Sequence, residues 1–526
     1  MINVIPKPRV AVEEEGFYQL PKDVIAISYD GILGNMRQCV ACSLGMKSVE
    51  LDEADICFIH TEKVKEEEYL LKVTENGIRV FASDYSGAFY ALITLKQLID
   101  EENKIPCCKI SDRPLYTWRG MQLDESRHFF GADTIRKLLD YMAMYKLNRF
   151  HWHLTDDQGW RIEIKKHPLL TEIGSKRSGT QIHSWASLDM KHTPVEGYYT
   201  QDEIRQIIAY AKARCIEIIP EIDFPAHCAS ALAAYNDLAC REISCEVPDF
   251  FGDKIPESRG MKDWNRTLCL GKDEVISFVY DVIDEVAELF PFPYFHIGGD
   301  EAPQNEWKKC PKCQERMKAE GLKNETELQG WFTNKVNAYL KTQGKILVGW
   351  NEVLAAKGID SDIVAQYWIS RKGKNVIKHL KKGGDVVLSN HKYFYFDMKH
   401  DYCTVKGTYY YEPSKVGIKG KCAEHILGVE GQNWTEWTET ADELFFKMST
   451  RGLALSECAW SRSRDYADFI ERYQAHKSTL DKMGICCGED WITLQKSKRR
   501  KKKAAKKIGF NVKYYDYEYE ISAKKK

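Results

Sequence analysis

The stretch YFHIGGDEAP, residues 294–303, decides the fold. Four apolar or aromatic-rich positions run into two glycines and then into two adjacent acids, Asp300 and Glu301. A short buried strand that ends abruptly in charge reads as one spoke of a parallel barrel, with its polar tip on the functional rim. Working outward, the same strand-then-polar pattern recurs. WRGMQLD (118–124), RFHWHLTD (149–156), CIEIIPEID (215–223) and YFHIGG (294–299) form the first half. KILVGW (345–350), DIVAQYW (362–368), GDVVLSN (384–390) and ILGVEGQNW (426–434) form the second. Amphipathic stretches such as ADTIRKLLDYMAMYKL and TQDEIRQIIAYAKAR lie between most of them. Eight strands with intervening helices predict an α/β protein built on a (β/α)8 TIM barrel over residues 114–470. The polar clusters DESRH, HLTDDQGWR, EIDFPAH, GGDEAP, GWNE, QYW and NWTEW all fall at strand ends. One pocket then collects Arg127, Asp156, Asp157, His227, Asp300, Glu301, Trp350, Trp368, Trp434 and Glu436.

Residues 1–113 read differently. DVIAISYD, ADICFIHT, YLLKVTENGIRVFAS and PCCKISD predict short strands with a turn at TENG. SGAFYALITLKQLID has helical spacing, so a small α+β domain precedes the barrel. Residues 471–526 form a C-terminal extension with a basic stretch, KSKRRKKKAAKK (496–507), nine of twelve residues basic. A solvated or frayed helix is the expected reading, because nothing nearby resembles a nucleic-acid module. NVKYYDYEYEIS beyond it has the pattern of a strand pair.

Composition narrows the function. The 526 residues are 44% hydrophobic and 29% charged, with a net charge of −1. No bulk field points to nucleic acid or a membrane surface, and no apolar run reaches spanning length. The start, MINVIPKPRVAVEEEG, has no apolar signal core. With 17 cysteines at irregular spacing, reduced thiols and a cytoplasmic location are expected, a secreted form being the alternative. CVAC (Cys39, Cys42) and CPKC (Cys310, Cys313) are distant CxxC pairs, and their loose spacing favours small buried or loop thiols over a zinc site built from both. His151 and His153, in HWH, are expected to be hydrogen-bonded structural histidines rather than metal ligands. NRT at 265, NET at 324 and NWT at 433 are read as chance matches to glycosylation acceptors.

Aromatics and carboxylates in one pocket point to sugar, whose C–H faces stack on indole and whose hydroxyls pair with acids and arginine. Glycosidic cleavage needs an acid at the leaving oxygen and support for a positive anomeric carbon. In the two-carboxylate scheme the acids flank the sugar, about 5–5.5 Å apart when retaining. Asp300 and Glu301 are sequence neighbours, and on a strand neighbours face opposite ways unless its end bends. A divided task fits better: one acid for the leaving group, one for a substrate group that acts as nucleophile.

These segments resemble glycoside hydrolase family 20, the β-N-acetylhexosaminidases. HIGGDE, WRGMQLDESRHF, NRFHWHLTDDQGWRIEI, EIDFPAH, GWNEVL and GQNWTEW are all similar to that family's segments, in order, over most of the chain. The resemblance implies exo-acting, retaining release of terminal β-linked GlcNAc or GalNAc from an oligosaccharide or glycoconjugate. The substrate's own 2-acetamido oxygen would attack the anomeric carbon. It implies Glu301 as acid/base and Asp300 as the residue orienting the acetamido group. Asp156 and His227 would support the acid/base, and Tyr395 would donate to the acetamido oxygen. Arg127, Asp397 and Glu436 would bind ring hydroxyls, and Trp350, Trp368 and Trp434 would wall the pocket. It calls for no cofactor and no catalytic metal; nucleic-acid and membrane partners are not expected, and a homodimer is possible. Asn351 stands where the family often has Asp, and Ala226 where glycine is frequent. The competing readings are lacto-N-biosidase-like disaccharide release, a conventional retaining glycosidase and a non-catalytic sugar-binding barrel.

Overall fold

The computed structural model describes residues 2–51, 53–185, 187–251, 265–370 and 373–487, and the strands Phe510–Tyr515 and Glu518–Ala523. The first domain is a seven-stranded sheet of β1 (Val10–Gln19), β2 (Val24–Tyr29), β3 (Lys47–Glu50), β4 (Ile56–His60), β5 (Tyr69–Thr74), β6 (Gly77–Ala82) and β7 (Lys104–Asp112). Their spatial order is β1-β7-β5-β6-β4-β2-β3. β5 and β6 alternate buried and accessible residues, the signature of a sheet covered on one face. The helix Tyr85–Leu98 buries ten residues and packs against β5 and β6, and Asp84 caps it by accepting from the Gly87 N–H. The sequence reading lacks two edge strands, β1 and β3, and the helix Met36–Leu44. β1 is exposed along nearly its whole length, and its VAVEEE run has no apolar alternation to signal a strand. A charged, bulged edge of this kind blunts pairing with other chains.

Eight parallel strands then close on themselves: β8 (Trp118–Asp124), β9 (Arg149–Asp156), β10 (Glu217–Ile222), β11 (Tyr294–His296), β12 (Ile346–Trp350), β13 (Val364–Tyr367), β14 (Val386–Leu388) and β15 (Ile426–Gly431). β8 pairs with both β9 and β15, which completes the barrel. All eight anticipated strands are present, and the ends differ by a few residues. β11 stops three residues short of its expected end, because Gly298 (φ +64°) and Gly299 (φ +87°) turn the chain off the ladder. Outer helices form from amphipathic segments. Ala132–Met144 buries Ile135, Leu138, Leu139 and Met142, an i, i+3, i+4, i+7 stripe. Gln201–Lys212 opens with a capping box between Thr200 and Glu203. After β12 a 3-10 turn, Asn351–Ala355, replaces a crossover helix.

The barrel interior is layered. Trp118, Ile219, Val348, Val364 and Val387 form an apolar floor. Above it, alternation turns His151, His153, Glu221, Gln366 and Glu430 inward, while Phe150 and Trp152 face the helices. The two histidines are the hydrogen-bonded structural pair the sequence suggested: His151 lies between Glu221 and Glu430, and His153 between Glu221 and Asp156. The site is built on this polar layer.

Past the barrel, the helix Tyr466–Lys482 runs across position 470 and returns to the N-terminus. Its Arg472 donates to the Val4 carbonyl, and its His476 contacts the Asn3 carbonyl. Phe510–Tyr515 and Glu518–Ala523 pair antiparallel, as their pattern suggested. The basic stretch 496–507 lies outside the described residues. No helix among the described residues is long and apolar enough to cross a membrane. Asn433, in the third glycosylation triplet, is 2% exposed and donates to the Gln122 carbonyl, so it presents no acceptor surface.

Candidate active site

A cavity of about 360 Å³ opens at the C-terminal ends of the strands. Eleven of the twelve anticipated pocket residues line it: Arg127, Asp156, Asp157, His227, Asp300, Glu301, Trp368, Tyr395, Asp397, Trp434 and Glu436. Trp350 does not. It is 1% exposed and stands behind Trp434, ring centroids 5.7 Å apart, because its indole N–H donates to Glu221 in the barrel core at 2.8 Å.

The two acids occupy different settings. After β11 the chain turns at Gly298, where a Cβ would sit 1.9 Å from Asp223 Oδ1. Only glycine admits that approach, and the Gly299 N–H then donates to the same carboxylate at 3.2 Å. The turn resolves the strand-alternation problem: both acids reach one cavity because the strand has ended. Asp300 faces inward, its side chain 14% exposed, while Glu301 is 50% exposed at the mouth. Glu301 (φ +47°) and His227 (φ +52°) both hold the left-handed backbone region, which is costly for residues with a Cβ and tends to concentrate at functional sites.

Burial pushes the Asp300 carboxyl up to about 7; His227 opposes this, and the like charges of Glu301, Glu352 and Glu221 add to it. Burial also holds Asp223 well above the carboxylate range, with Asp300 as the like charge that adds most. His227 is held well above the usual imidazole range. Its desolvation is outweighed by Asp156, whose Oδ1 lies 3.2 Å from Nδ1. Asp156 is in turn held well below the carboxylate range: its own burial is overcome by Arg127, His227 and His153. Its contacts are Arg127 Nη2 at 2.8 Å and His153 Nε2 at 3.0 Å. A line of alternating acid and imidazole therefore runs from Glu221 through His153, Asp156 and His227 to the mouth. There His227 Nε2 is 3.9 Å from Asp300 and 4.0 Å from Glu301, ion-pair rather than hydrogen-bond distances.

Arg127 is less free than a bare sugar clamp. Its fork binds Asp124 at 3.0 Å as well as Asp156, its Nε–H donates to Gln158, and its guanidinium lies 5.2 Å from the Trp434 centroid. Trp368 and Tyr395 stack at 6.0 Å with planes 18° apart. The Trp368 indole N–H donates to Glu352 at 2.9 Å, and its backbone N–H donates to Asn351 Oδ1 at 3.0 Å. An amide oxygen serves there as well as a carboxylate, so the Asn351 departure leaves that wall in place. Burial keeps the Tyr395 hydroxyl protonated, hence a donor. Burial, and then Glu436, lifts Asp397 to about 7.

The sequence reading passed over Asp223, Arg266 and Trp185, which also line the cavity. Asp223 was visible at a strand end in EIDFPAH. Arg266 lies 3.3 Å from both Asp157 and His227 but comes from a segment with no strand to mark it. Trp185 stands in a loop, 44% exposed.

With this geometry in hand, the comparisons with known proteins are specific. The model of the glycosyl hydrolase family 20 catalytic domain matches residues 116–463, and that of the family's domain 2 matches residues 1–113. The chain belongs to glycosyl hydrolase family 20. It is 34% identical to a β-hexosaminidase of Porphyromonas gingivalis over 92% of this chain and 64% of that one. It is 32% identical to a β-hexosaminidase of Akkermansia muciniphila over 78% and 83%. Thus it spans a little under two thirds of the Porphyromonas protein. Among solved structures it is similar to the family 20 exo-β-N-acetylglucosaminidase of Vibrio harveyi in complex with N-acetylglucosamine. That match has a TM-score of 0.81 and 30% identity, over 92% of this chain and 78% of that one.

Proposed function

We propose that this family 20 enzyme removes terminal β-linked N-acetylhexosamine, GlcNAc or GalNAc, from the non-reducing end of oligosaccharides, with retention and with the substrate's acetamido oxygen as nucleophile. The observation that carries this reading is the unequal placement of the two acids. Glu301, half-exposed at the mouth, stands where a leaving group departs and water enters, so one carboxyl can protonate the glycosidic oxygen and then deprotonate the water. Asp300 stands deeper, beside the Trp368–Tyr395 wall, where a substrate amide N–H would meet it. As positive charge develops on the amide nitrogen, an ionised Asp300 gains a partner in a desolvated site, which favours the transition state over the ground state. Tyr395, protonated, would donate to the acetamido oxygen and aim it at the anomeric carbon. His227, charged and anchored on Asp156, faces both acids and favours the ionised form of Asp300. Names of similar proteins support the substrate class, since they include β-hexosaminidases and an N,N'-diacetylchitobiase.

The test is release of an aryl leaving group from β-GlcNAc and β-glucoside by wild type, Asp300→Ala and Glu301→Ala. Cleavage confined to the acetamido sugar, with both variants down by about 10²–10⁴-fold, is expected. Equal cleavage of the glucoside, or an unaffected Asp300→Ala, would assign the nucleophile to a protein carboxylate instead.

A further inference from the structure

Four cysteines outside the active site gather at one point. Cys240, Cys269, Cys310 and Cys313 place their sulfurs within 4.8 Å of one another. The closest pairs are Cys269–Cys310 at 3.6 Å, and Cys240–Cys313 and Cys269–Cys313 at 3.7 Å. A disulfide holds its sulfurs about 2.05 Å apart, so these are not bonded pairs. Four sulfurs on a zinc ion at about 2.3 Å stand at the corners of a tetrahedron whose edge is about 3.8 Å. The three closest spacings match that edge, and the remaining ones lie within 4.8 Å. We propose that Cys240, Cys269, Cys310 and Cys313 form a closed structural zinc site.

The surroundings are built for it. Cys269, Cys310 and Cys313 are buried, and Cys240 is partly so. Cys310 is the N-cap residue of the helix Pro311–Ala319 and Cys313 sits in its first turn, at the positive end of the helix dipole. Gly271 is pressed against this turn so closely that a Cβ would lie 2.2 Å from the Lys312 carbonyl carbon and 2.4 Å from the Cys313 nitrogen. The Gly271 backbone N–H also donates to the Cys269 sulfur, the kind of outer hydrogen bond that steadies a metal-bound thiolate. All four ligand positions are protein sulfur, which marks a structural rather than a catalytic site. The His–carboxylate groups in the barrel differ, since their ligand atoms already contact one another at 3.0–3.2 Å.

The expectation of buried or loop thiols changes for CPKC alone: Cys310 and Cys313 gather with Cys240 and Cys269, while Cys39 and Cys42 lie on the helix Met36–Leu44. Such a site staples three segments. Arg266, three residues before Cys269, reaches Asp157 and His227 in the cavity. Glu306, four residues before Cys310 and five after Glu301, pairs with Arg241 beside Cys240. The ion would therefore fix the exit of the acid loop and the root of the Arg266 segment without touching substrate.

Full-length protein purified without immobilised metal should contain one zinc per chain by plasma mass spectrometry. Cys39→Ser/Cys42→Ser should keep it, and Cys310→Ser/Cys313→Ser should lose it. If the latter variant fails to fold, wild type grown on cobalt decides the matter through the visible bands of tetrahedral cobalt thiolate. A mercurial titrated into the zinc protein should also release the ion to a metallochromic dye as the four thiols react. Wild type without zinc, zinc retained in Cys310→Ser/Cys313→Ser, iron in its place, or a cobalt protein without thiolate bands would overturn the assignment.

Discussion

At the scale of single residues, the Asp300 carboxyl sets the acid side of the pH profile. Its role in the proposed mechanism needs the ionised form, and burial raises it to about 7. In the free enzyme, kcat/KM should therefore rise with pH through that region. Glu352 is one of the like charges that raise it. Glu352→Gln removes the charge but keeps an oxygen to accept the Trp368 indole N–H. The sign is fixed: one fewer neighbouring anion makes ionising Asp300 easier, so the limb moves to lower pH, by about half a pH unit or more. A pH series of kcat/KM on an aryl β-GlcNAc checks this. A limb that stays put, or moves to higher pH, would detach it from Asp300.

At the scale of elements, the junction after β11 does most to make the site, and it shows what a sequence can and cannot tell. Gly298→Ala places a methyl 1.9 Å from Asp223 Oδ1 at a φ of +64°, so both sterics and backbone oppose it. Activity should fall by about 10²-fold or more, since a displacement of about 1 Å is enough for that. Adding Asp223→Ala should recover stability in chemical denaturation, because the clash partner is gone, while the backbone strain remains. If the two losses simply add, the contact is not the cause. The eight strands and their polar tips were legible because strand burial and rim chemistry are both local patterns. The GG before DE is plain in the sequence, but the contact that requires it, with Asp223 some 75 positions earlier, is invisible to local reading. Trp350 reads like Trp368 and Trp434 at a strand end; only the hydrogen bond to Glu221 pulls it inward. The cysteine cluster was illegible for the same reason as Asp223. Two of its members, Cys240 and Cys269, belong to no CxxC pair, and folding alone brings them to CPKC.

At the scale of the whole molecule, the small domain is held to the barrel by buried charge rather than by grease alone. Lys146, at the turn between the helix Ala132–Met144 and β9, reaches into the first domain. Its ammonium donates to Thr94 Oγ1 at 2.7 Å, Tyr69 Oη at 2.9 Å and Asp112 Oδ2 at 3.2 Å, and it lies 4.5 Å from the Trp460 ring. Trp460 closes the circuit by donating to the other oxygen of Asp112 at 2.8 Å. Nearby, Arg119 grips Glu67 through both oxygens, at 2.7 and 3.0 Å. Lys146 and Asp112 are wholly buried, so each charge tolerates its site only because of the other. Lys146→Met keeps the length of the side chain and removes the charge, leaving Asp112 desolvated and short of a counter-ion. Loss of one partner in such a pair costs about 3–5 kcal/mol. The exposed pair Lys166–Asp281 is the internal contrast: Lys166→Met should leave the denaturation midpoint almost where it is. Lys146 is remote from the cavity, so kcat/KM per folded molecule should be unchanged even as the denaturation midpoint drops. Equal midpoints for the two variants would mean that apolar packing alone joins the domains. A large drop for Lys146→Met, with activity per folded molecule intact, would make this buried cation the pin that holds the small domain to the barrel.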